Sequence, residues 1–399
     1  MSQPTTPSNT VGSQKNIALL YNLAVSLAIL LSILLVCGIY QLGSNATLAG
    51  GFLGSFLIYL GSRPSLRHVG LAVMAGAILA VFHEMIGGTL GKDSGMETLS
   101  FVMGVGAFLG AGSILTMAFD RVWTGSRRYV PSLKDALILP VFSLVGALCM
   151  QFANGGSHAS FDLFLYRFDS SLGLAPGHAV ASLFRRLPWI EFGSLWTYTG
   201  LMIFPALYHA WAFYKGKAAR IHLVHAFVIA GVSGIILYSI CPAMGPVYAF
   251  GSQFPDRLPA MSAAPLRVLS STGLNNAMPS LHMTWVLLVW VAAWELGSFA
   301  VVLASIVVGL TGLATLGFGE HYLIDLIVAA PLVMAVQGIC KARYTLTAIG
   351  LGLVVAWTAY LRAGIQLPSS LNWMFVIATI VTTGFMMRSF VTKGYSSSR

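Results

Sequence analysis

The sequence predicts an all-α polytopic membrane protein with about 12 transmembrane helices. Of its 399 residues, 57% are hydrophobic and only 9% are charged, whereas soluble domains have about 25% charged residues. Long apolar runs recur along the whole chain, and no soluble linker interrupts them. The net charge of +10 comes from basic residues between these runs, so it indicates helix orientation rather than a nucleic-acid partner.

Crossing about 30 Å of hydrocarbon takes about 20 residues of helix. A polar start, residues 1–16, leads into an apolar run that is too long for the core of a cleavable signal peptide. The second run is short and rich in glycine. The predicted spans are residues 17–40, 46–61, 69–88, 98–119, 133–153, 190–213, 221–241, 279–296, 298–317, 320–340, 346–363 and 371–391.

The distribution of Lys and Arg predicts the orientation of these spans. With both termini in the cytoplasm, most of the 22 basic residues lie in inner turns or tails, as the positive-inside rule requires. This orientation puts His282 and His321 at the outer face. The basic residues on the outer side are then Lys92, Arg167, Arg185, Arg186, Arg257, Arg267 and Arg362.

The longest outer loop, residues 154–189, contains a stretch that mixes aromatic and charged residues. Phe161 to Asp169 has a helix-like pattern, which predicts a segment lying flat at the level of the lipid headgroups. It is either a plain connector with interfacial aromatic residues or an element that admits a lipid substrate.

Two short motifs carry the chemistry, and each stands where a polar loop gives way to an apolar run. One is Ala277-Met-Pro-Ser-Leu-His282, and the other is His321-Tyr-Leu-Ile-Asp325. Residues four apart lie on one face of a helix, so the Asp325 carboxylate can accept an imidazole N–H from His321 and fix its tautomer. Pro279 at a helix start would leave the amides at Ser280 and beyond free to bind an anion. This pattern predicts phosphoryl or acyl transfer.

These motifs resemble the second and third motifs of the type 2 phosphatidic acid phosphatase superfamily. The His-Tyr-x-x-Asp form is most similar to its lipid-phosphotransferase branch, which includes inositol phosphorylceramide synthases and sphingomyelin synthases. The stretch from Tyr238 to Tyr248 resembles the proline-rich segment at that branch's first-motif position. The resemblance covers residues 133–340 and implies a six-helix catalytic core of the phosphatidic-acid-phosphatase type.

The resemblance implies that His321 becomes phosphohistidine, that Asp325 orients it, and that His282 serves as acid and later as base. Ala314 and Thr315 stand where the phosphatase branch has Ser-Arg, so the phosphate charge must be met by other groups. The candidate substrate-binding residues are Ser280, Tyr248, Tyr322, Arg257 and Arg267.

The predicted function is therefore a lipid phosphotransferase that moves a phosphate-bearing headgroup from a phospholipid donor to a lipid hydroxyl acceptor, with no cofactor and no metal. Alternatives are a lipid phosphate phosphatase with the same residues, a zinc site built from the two histidines and the aspartate, and a transporter. We expect the bacterial inner membrane, with the site on the periplasmic or extracytoplasmic side. The predicted organisation is a polar tail (1–16), extra N-terminal transmembrane helices (17–132), the catalytic core (133–340), and two C-terminal helices with a tail (341–399).

Overall fold

Apolar helices make up nearly all of the described chain. The computed structural model of the protein describes residues 27, 45–85, 97–155, 159–251, 254–255, 269–270 and 274–396. The first predicted span, 17–40, falls outside these residues except for position 27. The positions of Arg257 and Arg267 also fall outside them.

The chain divides into two compact units, Met1–Leu144 and Val145–Arg399. The boundary falls inside the helix that was predicted to open the catalytic core. In the first unit a long central helix packs against the two helices that precede it. The helices of this unit are α1 (Asn45–Gly61), α2 (Leu66–Met85), α3 (Glu97–Thr124) and α4 (Val130–Gly155), the last of which continues past the boundary.

A proline inside α4 shows how polar backbone groups are satisfied within an apolar unit. Pro140 has no N–H, so the carbonyl of Ala136, four residues earlier, lacks its usual helical donor. The hydroxyl of Ser55 on α1 donates to this carbonyl at 2.7 Å. Ser55 is fully buried, and the contact links α1 to α4.

The second unit is a helical bundle with one two-stranded antiparallel sheet that pairs Ala159 with Ser270 and Ser160 with Leu269. Its elements are β1 (Ala159–Ser160), α5 (Asp162–Ser171), α6 (Pro176–Arg186), α7 (Pro188–Thr199), α8 (Ile203–Tyr214), α9 (Ala218–Ile221), α10 (Leu223–Ile240), α11 (Pro246–Phe250), β2 (Leu269–Ser270), α12 (Leu281–Leu296), α13 (Ser298–Gly317), α14 (Leu323–Cys340), α15 (Tyr344–Ala363) and α16 (Ser369–Ser396).

The most buried of these helices is α14, the helix that follows the third motif. It contacts α5, α10, α12, α15 and α16, and nearly every residue from Ile324 to Gly338 is buried. A helix that is apolar on all sides belongs at the centre of a bundle. The residues at its N-terminal end therefore lie where several helices converge.

An ionic cluster closes one end of this bundle. Glu295, near the C-terminal end of α12, accepts Lys341 Nζ at 2.8 Å and Arg220 Nε at 3.0 Å, while Lys217 Nζ donates to the Glu295 carbonyl at 2.6 Å. All three basic residues belong to turns predicted to face the cytoplasm. His282 lies at the opposite end of α12, about 20 Å away at 1.5 Å per residue.

The fold is an all-α membrane fold, as the sequence predicted. Among the described residues, eight helices are long and apolar enough to cross a membrane, and Leu48–Gly61 and Leu281–Leu296 are shorter apolar helices. The predicted span 190–213 is not one continuous helix. It is divided into α7 and α8 by a turn in which the Ile203 amide donates to the Gly200 carbonyl.

Candidate active site

The second motif forms the N-terminal end of α12 and positions His282 in its first turn. The helix begins at Leu281, two residues later than the predicted start at Pro279, with the fully buried Ser280 as its N-cap. Ser280 Oγ accepts the Met283 amide at 3.3 Å, and the Ser280 amide donates to the Asp325 carbonyl at 3.2 Å. The Ser280 and Met283 amides are therefore used within the protein, which leaves fewer free amides for an anion than predicted.

The third motif places His321 just before α14, with its ring held by the backbone. Nδ1 of His321 lies 2.9 Å from the carbonyl oxygen of Ala277 and 3.4 Å from Asp325 Oδ2. A carbonyl oxygen can only accept a hydrogen bond, so Nδ1 carries the proton in the neutral ring and Nε2 keeps its lone pair. Burial lowers the pKa of His321 to about 4, which keeps this ring neutral at pH 7.

Asp325 is a fully buried carboxylate at the start of α14. Its Oδ2 accepts the amide of Tyr322 at 2.8 Å, which satisfies one of the unpaired amides at the helix N-terminus. Its Oδ1 has no hydrogen-bond partner among the described residues. The carboxyl group therefore lies beside the His321 ring with a hydrogen bond to only one of its two oxygens.

His282 and His321 converge, with ring centroids 6.0 Å apart. The His282 ring also stacks on Tyr198 of α7, at 4.1 Å between centroids and an interplanar angle of 10°. Tyr198 was not predicted, since an aromatic residue in an apolar run has no distinguishing pattern. The stack fixes the plane of the His282 ring.

The predicted substrate contacts occupy different environments. Tyr248 is 54% exposed, and its hydroxyl donates to Glu320 Oε1 at 3.0 Å. Tyr322 is buried, and its hydroxyl donates to Asp162 Oδ1 at 2.8 Å. Arg257 and Arg267 lie outside the described residues.

Two buried carboxylates of α5, Asp162 and Asp169, reach the same region. Asp162 accepts the amides of Met244 and Gly245 at 3.0 and 2.9 Å. Asp169 accepts the amides of Leu323 and Ile324 at 2.7 and 3.1 Å. Sequence reasoning assigned this segment to the headgroup level, whereas its carboxylates enter the bundle. The seven-residue spacing, which puts both on one helix face, was the available signal.

Burial changes the acidity of both α5 carboxylates. It raises the pKa of Asp162 despite hydrogen bonds from Ser160, Met244, Tyr322 and Gly245, each of which lowers it. It also raises the pKa of Asp169 to about 8, while the Leu323 and Ile324 amides lower it. These groups are withdrawn from water and depend on protein donors.

A cavity of about 60 Å³ adjoins His321, which is room for a few water-sized groups. It is bounded by α5, the start of α6, the third motif and the first-motif loop, which is the stretch from Tyr238 to Tyr248. Its lining combines aromatic and polar side chains, which suits a small polar group attached to an apolar chain. The lining residues are Tyr166, Asp169, Ser170, Leu174, Ala175, Pro176, Gly177, Pro246, Phe254, His321 and Tyr322.

The first-motif loop contacts the third motif through backbone atoms. Gly245 has φ +93°, and an added Cβ would lie 2.2 Å from the carbonyl oxygen of Glu320. The amide of Val247 donates to the Gly319 carbonyl at 2.9 Å, and the Ala277 amide donates to the Ala243 carbonyl at 2.9 Å. All three motif positions are thus joined by direct contacts.

The comparison with protein families agrees with this geometry. Residues 163–339 match the model of the PAP2 superfamily. This segment of the chain is therefore similar to the type 2 phosphatidic acid phosphatase superfamily, whose members are phosphatases and phosphotransferases. It contains both histidines and Asp325. No curated protein and no solved structure matches the chain.

Among the described residues, no group of three or more His, Cys, Asp or Glu side chains is arranged to hold a metal ion. The rings of His282 and His321 lie with their centroids 6.0 Å apart. Both lie in the segment that matches the family model.

Proposed function

We propose that this protein is an integral-membrane lipid phosphotransferase that works through a phosphohistidine at His321. The observation that carries the proposal is the hydrogen bond from His321 Nδ1 to the Ala277 carbonyl. It leaves the Nε2 lone pair available for attack on phosphorus.

In the first half-reaction, Nε2 of His321 forms a bond to phosphorus and the bond from phosphorus to the donor lipid's oxygen breaks. His282 takes up a proton as the anionic phosphate binds, because a neighbouring negative charge favours the charged imidazole, and it gives this proton to the leaving oxygen. The phosphorylated ring keeps its Nδ1 proton and so gains positive charge, which the Asp325 carboxylate 3.4 Å away stabilises. General acid help of this kind is typically worth about 100- to 10,000-fold.

In the second half-reaction, neutral His282 takes the proton of the acceptor hydroxyl. The acceptor oxygen forms a bond to phosphorus, the P–N bond breaks, and His321 recovers its lone pair. The cycle returns both histidines to their starting protonation states. A lipid hydroxyl gives transfer, and water in its place gives hydrolysis.

Two features support transfer over hydrolysis of a phosphomonoester. Thr315, at the position of the missing arginine, is fully buried and its hydroxyl donates to the Gly312 carbonyl, so no cation acts from there. A phosphodiester carries one negative charge, which needs fewer cations than a dianionic monoester. The mixed aromatic and polar lining of the cavity also suits a lipid hydroxyl on an apolar chain.

The test uses purified protein in detergent with a phospholipid whose headgroup phosphate is labelled, with and without a hydroxyl-bearing lipid. We expect label in a new lipid only when the acceptor is present, and none in His321→Ala. Equal release of label into water with and without acceptor would replace the transferase by the phosphatase. Full activity in His321→Ala would contradict both the transferase and the phosphatase, because each of them needs the phosphohistidine at His321.

A further inference from the structure

We infer that α5 belongs to the catalytic apparatus, with Asp162 and Asp169 as positioning residues that fix the first-motif loop and the third motif relative to each other. The inference rests on the proposed function, since it assigns how the His321 region is held. Neither aspartate is part of the chemical steps described above.

Asp162 joins the first and third motifs through a single side chain. It is fully buried and receives hydrogen bonds from the amides of Met244 and Gly245, the hydroxyl of Tyr322 and the hydroxyl of Ser160. Four donors to one carboxylate are close to its full capacity. Removing this acceptor would leave several buried donors without a partner, which is costly.

Asp169 holds the first turn of α14. Its two oxygens accept the amides of Leu323 and Ile324, which are among the unpaired donors of that helix start. Asp325 satisfies the Tyr322 amide next to them, so successive amides after His321 are each held by a carboxylate.

The two aspartates are seven residues apart, which is about two helical turns and about 10 Å along α5. A rigid helix therefore sets the separation between the first-motif loop and the start of α14. Gly245 lies against the Glu320 carbonyl, and Tyr322 follows His321 directly. If the contacts of Asp162 with the first-motif loop or those of Asp169 with the start of α14 shifted, the His321 ring would move away from the Ala277 carbonyl.

These contacts also mean that the substrate phosphate does not bind the amides of Met244, Gly245, Leu323 or Ile324, because carboxylates already occupy them. Loss of either aspartate is therefore expected to lower kcat rather than to raise KM. A misplacement of about 1 Å at a reacting group can cost about 100-fold in rate.

The test compares Asp162→Asn, Asp169→Asn, Tyr322→Phe and the double variant Asp162→Asn/Tyr322→Phe. Arg167→Gln is the matched control, because Arg167 is on α5 but its side chain donates to Gln366 at 2.7 Å, away from the site. We expect kcat to fall by about 30- to 100-fold in both aspartate variants with KM nearly unchanged. The control should match the wild type within about twofold.

If Tyr322 acts through Asp162, the double variant should have a kcat within about twofold of Asp162→Asn alone. If the losses in kcat of the two single variants instead multiply in the double variant, the inference is overturned and Tyr322 is a substrate contact. A raised KM with an unchanged kcat would lead to the same conclusion. Normal kcat in folded variants with lowered melting temperatures would also overturn it. If Asp162→Asn fails to fold, Tyr322→Phe tests the positioning role in its place. A wild-type kcat in Tyr322→Phe would contradict the inference.

A substrate-free measurement separates this inference from the proposed function. Modification of His321 by diethyl pyrocarbonate is followed by mass spectrometry, with each variant held equally far below its own melting temperature. The rate of modification should rise in Asp162→Asn and remain at the wild-type value in Arg167→Gln. An unchanged rate in Asp162→Asn overturns the positioning role even if the wild type proves to have another activity. A raised rate in a protein without phosphoryl transfer would overturn only the proposed function.

Discussion

The carbonyl oxygen of Ala277 lies 2.9 Å from Nδ1 of His321, closer than Asp325 Oδ2 at 3.4 Å. The backbone of the second-motif loop therefore sets the tautomer of the histidine in the third motif. Asp325 accepts the hydrogen bond of the Tyr322 amide through Oδ2. The predicted proximity of Asp325 and His321 is present, and the orienting role of Asp325 stays a prediction.

Asp325→Asn is expected to lower kcat by about 100- to 1000-fold while His321 keeps its tautomer. The asparagine oxygen can still accept the Tyr322 amide, but the negative charge that stabilises the phosphorylated ring is lost. The measurement is the single-turnover rate of label transfer to His321. A rate as low as that of His321→Ala would show that the carboxylate is needed to orient the ring.

His282→Ala should retain phosphorylation of His321 when the donor has a good leaving group, such as a 4-nitrophenyl phosphodiester. A nitrophenolate leaves without a proton, so the general acid is no longer needed. With an alkyl leaving group the same variant should lose about 100- to 10,000-fold in rate. Equal losses with both donors would assign His282 to binding or structure.

Gly245→Ala should abolish activity and lower the melting temperature in detergent by more than Gly251→Ala. Both glycines have φ near +92°, which costs an alanine about 1–2 kcal/mol. An added Cβ at Gly245 would also meet the Glu320 carbonyl at 2.2 Å, whereas at Gly251 no described atom lies within 4 Å. Similar melting temperatures and activities in the two variants would contradict this close approach.

The acid limb of the kcat/KM profile should lie nearer pH 4 than pH 6.5. Only neutral His321 has a free lone pair at Nε2, and burial lowers its pKa to about 4 from the ordinary value of about 6.5. The nucleophilic form of His321 is therefore retained as pH falls through 6.5 and is lost as pH falls through about 4. A limb at pH 6.5 or above would indicate a solvated His321 ring.

Single cysteines at Leu274 and Tyr344, in a cysteine-free background, test the predicted sidedness. Leu274 is 55% exposed beside the second motif, and Tyr344 is 83% exposed near the basic cluster at Glu295. An impermeant thiol reagent should label position 274 in intact cells and position 344 only after the membrane is opened. The reverse pattern would place both histidines on the cytoplasmic side.

Local sequence features predicted most of the helices of the bundle and the meeting of its two histidines. Long apolar runs determine where helices lie, and His282 and His321 stand at helix starts that meet at one end of the bundle. Hydropathy did not reveal the break at Gly200, because the turn there is as apolar as the helices beside it. Residue type also cannot show that the carbonyl of Ala277 holds His321.

The α5 carboxylates were missed for a different reason. Their spacing is visible in the sequence, but their partners are not. Asp162 bonds groups 82, 83 and 160 residues away, and Asp169 bonds amides 154 and 155 residues away. Only the packed bundle brings these segments together.

The length of α12 bears on the depth at which we expect the proposed reaction to take place. Its 16 residues span about 24 Å, less than the roughly 30 Å of hydrocarbon in a typical bilayer. Since Glu295 and its basic partners are predicted to lie at one interface, we expect His282 to be recessed by several ångströms below the other. A lipid would then have to sink its headgroup below the plane of its neighbours, or the bilayer would have to thin around the protein. We therefore expect membrane thickness to affect the rate of the proposed reaction.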